Sequence, residues 1–242
     1  MRTLKYFPAI LLIFLFTVCR SQNINNVINT ANNILNNNTN PLSNDEIIKG
    51  LKDALTVGTN NSTASASKLD GFNNNTAIKL LFPPEAKAME TKLRSIGMGA
   101  QCDKFIETLN RGAEEASKSA APIFLDAVKQ LSITDGLKIL KGEDNAATMF
   151  LKNSTTSQLK VAFAPIVKAA LDKVKITKYW NPLAKAYNKI PFVQKVNPDL
   201  NAYVTDKAIE GLFKLIADEE YKIRKDPAAR INDILQKVFG GH

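Results

Sequence analysis

The stretch DLNAYVTDKAIEGLFKLIADEEYKIRKDP, residues 199–227, decides the fold class. Asp199 is a good N-cap, because its carboxylate can accept from the free N–H groups of a first turn. Val204, Ala208, Leu212, Leu215 and Ile216 then fall on one side of a 3.6-residue period. The pattern predicts a long helix over 199–225, the longest in the chain. Asp226-Pro227 stops it and reads as the N-cap and first position of a last helix, which runs to Phe239 and ends at Gly240-Gly241.

The same grammar extends outward. Ser43-Asn44-Asp45-Glu46 is a capping box, followed by the apolar stripe Ile47, Ile48, Leu51, Ala54 and Leu55, with Gly58 as the expected stop. Polar residues 59–75 read as a long loop and Ile78–Phe82 as a short extended piece. Helices are predicted over 85–96, opened by Pro83-Pro84 and stopped by Gly97-Met98-Gly99, and over 101–118, burying Phe105, Ile106, Leu109 and Ala113. Pro122 suits the first turn of another helix, Thr134 a cap for a short one to Leu140, and two more are expected over 144–152 and 155–175. Pro182, Pro191 and Pro198 divide the following segment. Nothing sustains period-two alternation, so the chain reads as all-α, a single multi-helix domain over 43–242.

What precedes that domain reads as an address and a tether. Arg2 and Lys5 head the apolar run Pro8–Val18. Eleven helical residues reach about 16 Å, against a hydrocarbon core of roughly 30 Å. The run therefore fits a secretory signal, with Cys19 and Ser21 as the small residues before a cut at Gln22. Lipidation of Cys19 is the rival; Val18 is bulky where such signals carry a small residue. Residues 22–42 form an Asn-rich flexible spacer, Asn being a poor helix former. The expected location is exported, periplasmic or secreted, with no spanning segment after cleavage.

Composition removes several kinds of chemistry. The 242 residues carry 32 Lys+Arg against 23 Asp+Glu, a formal charge of +9, with a single histidine, His242, and two cysteines. A lone terminal His argues against His metal sites and His-based nucleophilic catalysis. Loss of residues 1–21 leaves Cys102 without an intramolecular disulfide partner, and a buried, inert thiol is expected. No cofactor and no metal is expected.

Charge is concentrated. Residues 152–199 hold nine lysines and two acids. On a continuous helix Lys160, Lys168, Lys175 and Lys178 share one side, beside an apolar face of Leu159, Phe163, Ile166, Val167, Ala170, Leu171 and Val174. Tyr179, Trp180, Tyr187 and Phe192 follow among Lys185, Lys189 and Lys195. A basic amphipathic segment with trailing aromatics suits anionic lipid or an acidic envelope partner; a solvated face beside ordinary core is the plainer reading. No Arg lies between 152 and 199, so nucleic-acid recognition is not expected.

The acids Glu114, Glu115, Asp218, Glu219 and Glu220 are the candidate carboxylates for a hydrolase. Asp218–Lys222 and Glu220–Arg224 fit helix-surface ion pairs instead. Arg224 and Arg230 flank the Asp226-Pro227 cap, placed to clamp an anion or to pair with Glu219, Glu220 or Asp226. Asp199 and Asp206 show no partner beyond capping.

Several of these residues occur in an ordered series: Gly50-Leu-Lys-Asp-Ala-Leu-Thr-Val-Gly58, Asp70-Gly71-Phe72, Gly97-Met98-Gly99, Asn110-Arg111 with Glu114, Pro122 to Ala127, Lys141-Gly142, Tyr203 to Ala208, and Ile223-Arg224 with Asp226-Pro227-Ala-Ala-Arg230. The series resembles the bacterial domain-of-unknown-function 4197 family over about 43–239. The resemblance implies a secreted or periplasmic bacterial protein and carries no catalytic residue. Asn110, Arg111, Glu114, Glu219, Glu220, Arg224 and Arg230 are accordingly expected as interhelical ties or a binding groove in a non-enzymatic binding module.

Overall fold

A computed structural model of the chain describes residues 43–239, apart from 96, 174–179, 182, 183, 186, 190, 198, 231 and 232. The expected leader with Cys19 and Ser21, the Asn-rich spacer, and Val174, Lys175, Lys178 and Tyr179 lie outside the described residues. A compact unit begins at Ser43.

The described residues form eight α-helices and no strand, so the fold is all-α: α1 Asn44–Ser67, α2 Lys87–Ser95, α3 Gly99–Ser117, α4 Ala120–Lys129, α5 Ile133–Leu140, α6 Ala146–Lys173, α7 Leu200–Lys225 and α8 Asp233–Phe239. Three-residue 3-10 turns, Pro84–Ala86 and Pro227–Ala229, lead toward α2 and α8. Helix α7 is central and packs against α6, α1 and α3; α4 and α5 each bridge α1 and α6, and α8 lies on α1.

Capping follows local chemistry. Ser43 Oγ accepts from Glu46 N–H at 3.2 Å while Ser43 N–H donates to the Glu46 carboxylate at 2.9 Å. Asp199 accepts from the N–H groups of Asn201 and Ala202. Gly97, at φ +86°, ends α2 with Met98 N–H on Leu93 O and Gly97 N–H on Arg94 O, the paired bonds of a Schellman stop. Ser132, not Thr134, caps α5, accepting from Asp135 N–H at 3.1 Å.

Helix α1 does not stop at Gly58. It continues for nine more residues, through the expected loop. Gly58, Thr59, Ser62, Thr63 and Ala66 are buried there. Thr59, Ser62 and Thr63 donate their hydroxyls to the carbonyls of Leu55, Gly58 and Thr59 at 2.7–2.8 Å. Small, internally satisfied side chains let α1 approach α7, and that packing outweighs the low helix propensity of the sequence.

Helix α6 is likewise one element of 28 residues, longer than α7 at 26. Ser154, Thr155 and Thr156 bond back to the carbonyls of Phe150, Leu151 and Lys152, so the polar stretch expected to divide it stays helical. Its buried row is Leu151, Thr155, Leu159, Phe163, Val167 and Leu171, every fourth residue. Each step of four advances the row by roughly 40° around a 3.6-residue helix. The buried seam therefore winds around α6 and meets different neighbours along its length.

Ile78–Phe82 is irregular rather than a strand. Phe82 meets Phe105 at 4.4 Å between centroids, and Phe105 stacks on Trp180 at 5.0 Å. Trp180 is buried, so this aromatic belongs to the core and not to the basic surface. After α7, Pro227–Ala229 forms a 3-10 turn where Asp226-Pro227 suggests the first turn of the last α-helix.

Phe72 is fully buried against Gly211 of α7. A Cβ on Gly211 would lie 2.6 Å from Phe72 Cε1. Gly211→Ala is expected to lower stability by about 1–3 kcal/mol through overpacking. Partial recovery on adding Phe72→Leu, read from thermal melts, checks the cause.

Candidate functional site

The motif residues of α3 face the 70–82 segment. Glu114 is buried, and its Oε1 accepts from the N–H groups of Phe72 at 3.1 Å and Asn73 at 3.2 Å. Its other oxygen accepts from Arg111 Nη1 at 2.6 Å. Arg111 Nη2 donates to Asp70 at 2.6 Å, and the guanidinium holds that carboxyl below its usual range. Asn110 is fully buried; its Oδ1 accepts from Leu80 N–H and its Nδ2 donates to Leu80 O, both at 2.9 Å. One amide side chain thus replaces a ladder partner for an extended residue. The three residues hold a non-helical segment against α3 and bring Phe72 into the core.

A second cluster lies on α7. Glu220 accepts from Ala147 N–H at 3.0 Å, from Thr148 N–H and the Thr148 hydroxyl at 2.8 Å, and from Arg224 Nε at 3.0 Å. Ala147 and Thr148 belong to the first turn of α6, whose N–H groups lack intrahelical partners. Glu220 caps α6 from another helix, with its charge at the positive end of the dipole. Arg224 Nη2 donates to Ile139 O in the last turn of α5 at 2.9 Å, and its guanidinium lies 5.7 Å from the Phe239 ring centroid. Arg230 pairs with no carboxylate among the described residues; it donates to the carbonyls of Ile223 and Arg224 at 3.0 and 2.9 Å, closing the end of α7.

The remaining acids are dispersed. Glu219 accepts from Asn61 and Lys222, whereas Asp218 pairs with Lys214 instead of Lys222. Glu115 is on the surface with Lys118. No described hydrogen bond or ion pair links the α3 cluster to the α7 cluster. Among the described residues no three His, Cys, Asp or Glu side chains are grouped to hold a metal. A cavity of about 20 Å³ lies among Leu51, Leu55, Ile216, Glu220, Arg224 and Phe239, room for about one water.

Near α2, Glu90 is buried beneath Lys87 at 3.0 Å and Arg94 at 2.9 Å. Burial opposes its ionisation, but the two cations outweigh burial and leave its carboxyl below the ordinary 4.5. A carboxyl depressed on folding contributes stability above the unfolded value, and that contribution is lost as pH falls through the folded one. Below about pH 4.5, Glu90→Gln should therefore converge on the parent in melting temperature, and above it melt lower. Parallel melts across pH 3–7 check this. Neighbouring Cys102 is buried and its thiol is pushed up by burial, which makes it a poor nucleophile. The Tyr203 hydroxyl donates to Leu81 O at 3.1 Å and is pushed up to about 12, chiefly by burial.

The expected basic helix face is partly neutralised. Lys160 pairs with Asp206 at 2.9 Å, a partner the sequence pattern did not supply, and Lys168 pairs with Asp172 at 2.7 Å. Leu159, Phe163, Val167 and Leu171 are buried beneath, with Ile166 and Ala170 half-buried. Lys185, Lys189 and Lys195 are exposed. Among them the structure raises a residue that spacing alone did not single out. Phe192 is 108% exposed and sits at φ +63°. At the base of its loop, Asn188 Nδ2 donates to Val196 O and Val196 N–H donates to Asn188 Oδ1, both at 2.6 Å. The available signal was Pro191-Phe192 set between lysines with no acid nearby.

No curated protein and no solved structure matches this chain. One family does, a protein of unknown function (DUF4197), over residues 41–240. The matched span takes in the ordered motifs, and this chain belongs to the DUF4197 family.

Proposed function

We propose that this chain is an exported envelope protein that acts by binding, not by catalysis, and that its contact surface is the basic stretch after α6. The observation that carries this reading is that the two buried motif carboxylates, Glu114 and Glu220, are committed to internal ties. Glu114 and Glu220 accept from backbone N–H groups and arginines, so their oxygens are occupied by structural bonds. The buried pairs are organised as ties between segments that the sequence separates widely. The surface chemistry left over is cationic: Lys185, Lys189 and Lys195 project from a run with no acid between Asp172 and Asp199.

The export address supports an envelope setting, where anionic partners are abundant. The test is retention of the chain from residue 22 on immobilised heparin over a salt series. Retention should weaken steeply with salt and fall when Lys185, Lys189 and Lys195 become Gln together. Salt-independent behaviour would overturn the reading. So would hydrolytic turnover abolished by Glu115→Gln with unchanged melting, because among the described residues the Glu115 side chain is tied only to Lys118.

A further inference from the structure

We infer that Pro191 and Phe192, held between Asn188 and Val196, form a membrane-contacting tip, in which Phe192 enters the interface of an anionic bilayer while Lys185, Lys189 and Lys195 meet its headgroups. This deepens the proposal above and rests on its reading of the basic stretch as the contact surface.

Three observations converge. Phe192 presents its whole ring to water, and its neighbour Pro191 is exposed too. Its φ of +63° lies in the left-handed region, which bulky residues avoid and glycine or asparagine occupies readily. An aromatic held there, touching nothing, does nothing for the fold; such outliers persist where the surroundings impose them and mark functional positions. The imposing element is the Asn188–Val196 clamp, whose Val196 side chain is buried, so the loop projects Phe192 from an anchored base.

The charge pattern selects the partner. From Lys173 to Lys195 the chain holds six lysines and no acid. Each lysine brought near an anionic membrane strengthens partitioning roughly five-fold. An apolar Phe ring can bury at the boundary between headgroups and acyl chains, as Phe does on interfacial amphipathic segments. Lysines around an aromatic wedge fit a lipid surface better than a folded acidic partner, which would have to supply an apolar pocket for the ring. The α6 face is the weaker contact, because Lys160 and Lys168 already have carboxylate partners.

The test uses the chain from residue 22, since the apolar leader would partition by itself and the compact unit starts at Ser43. Vesicles of phosphatidylglycerol and phosphatidylcholine are compared with phosphatidylcholine alone by co-sedimentation at low salt. The parent should bind only the anionic vesicles. Phe192→Ala should bind about ten-fold more weakly with unchanged melting, as expected for losing a partly immersed ring. Against the parent, whose single tryptophan Trp180 is buried, Phe192→Trp should add an emission component that shifts to the blue on binding and is quenched by brominated acyl chains. Equal binding by Phe192→Ala, or an unshifted and unquenched Phe192→Trp, overturns insertion while leaving the basic surface standing. Heparin retention without vesicle binding overturns the lipid partner alone; failure on both matrices overturns the basic contact surface itself.

Discussion

Glu220→Ala is expected to lower the unfolding free energy by about 3–5 kcal/mol, the range for breaking a buried ion pair from one side. At roughly 2–4 °C per kcal/mol for a chain of this size, the melting temperature should fall well outside error. The Glu220 and Arg224 side chains are only 8% and 11% exposed, so solvent replaces little of what is lost. Removal orphans the N–H groups of Ala147 and Thr148 and the Thr148 hydroxyl, and leaves Arg224 without its carboxylate partner. Through Arg224 the effect reaches the end of α5, held by the bond to Ile139 O. Arg224→Ala should also lower the melting temperature, and less than additively with Glu220→Ala, because the two act through one network. Amide hydrogen exchange gives the local readout: Ala147 and Thr148 should lose protection before the middle of α6. Unchanged melting would mean that the α6 terminus is held elsewhere.

Glu114→Ala should cost about 3 kcal/mol for the same reason at the other cluster. One carboxylate oxygen anchors both Phe72 N–H and Asn73 N–H, so its loss releases the loop that delivers the Phe72 ring. The decisive measurement is a double-mutant cycle with Phe72→Ala. If Glu114 works by placing Phe72, the double variant should be little worse than the poorer single one. Full additivity would show two independent contributions. Arg111→Ala should do less harm, since its side chain is 30% exposed and water can reach the groups it leaves.

Much of the architecture was legible because it is local. The Ser43 capping box, the Asp199 cap, the α7 stripe and the Gly97 stop involve residues within a few positions of one another. The misread boundaries have two causes. Gly58 and the Ser/Thr-rich continuation of α1 are weak helix formers in isolation, yet burial against α7 rewards small side chains there. In α6 the buried row advances by four at every step, so no fixed stripe crosses its whole length and the element looked like two. Of the candidate site residues, the i,i+4 tie between Glu220 and Arg224 was readable, but its main task was not: Ala147 and Thr148 lie 73 and 72 residues away. Asn110 and Leu80, 30 residues apart, illustrate the same limit.

By itself the sequence determined the all-α class, most helix starts and the place where positive charge collects. These follow from periodicity, capping and composition, which act over a few residues. Only the tertiary structure decided that Glu114 and Glu220 are internal anchors, that Trp180 is core, and that Phe192 alone among those trailing aromatics described stands fully in water. Burial and hydrogen-bond partnership depend on which segments meet, and a side chain's role is settled by that meeting.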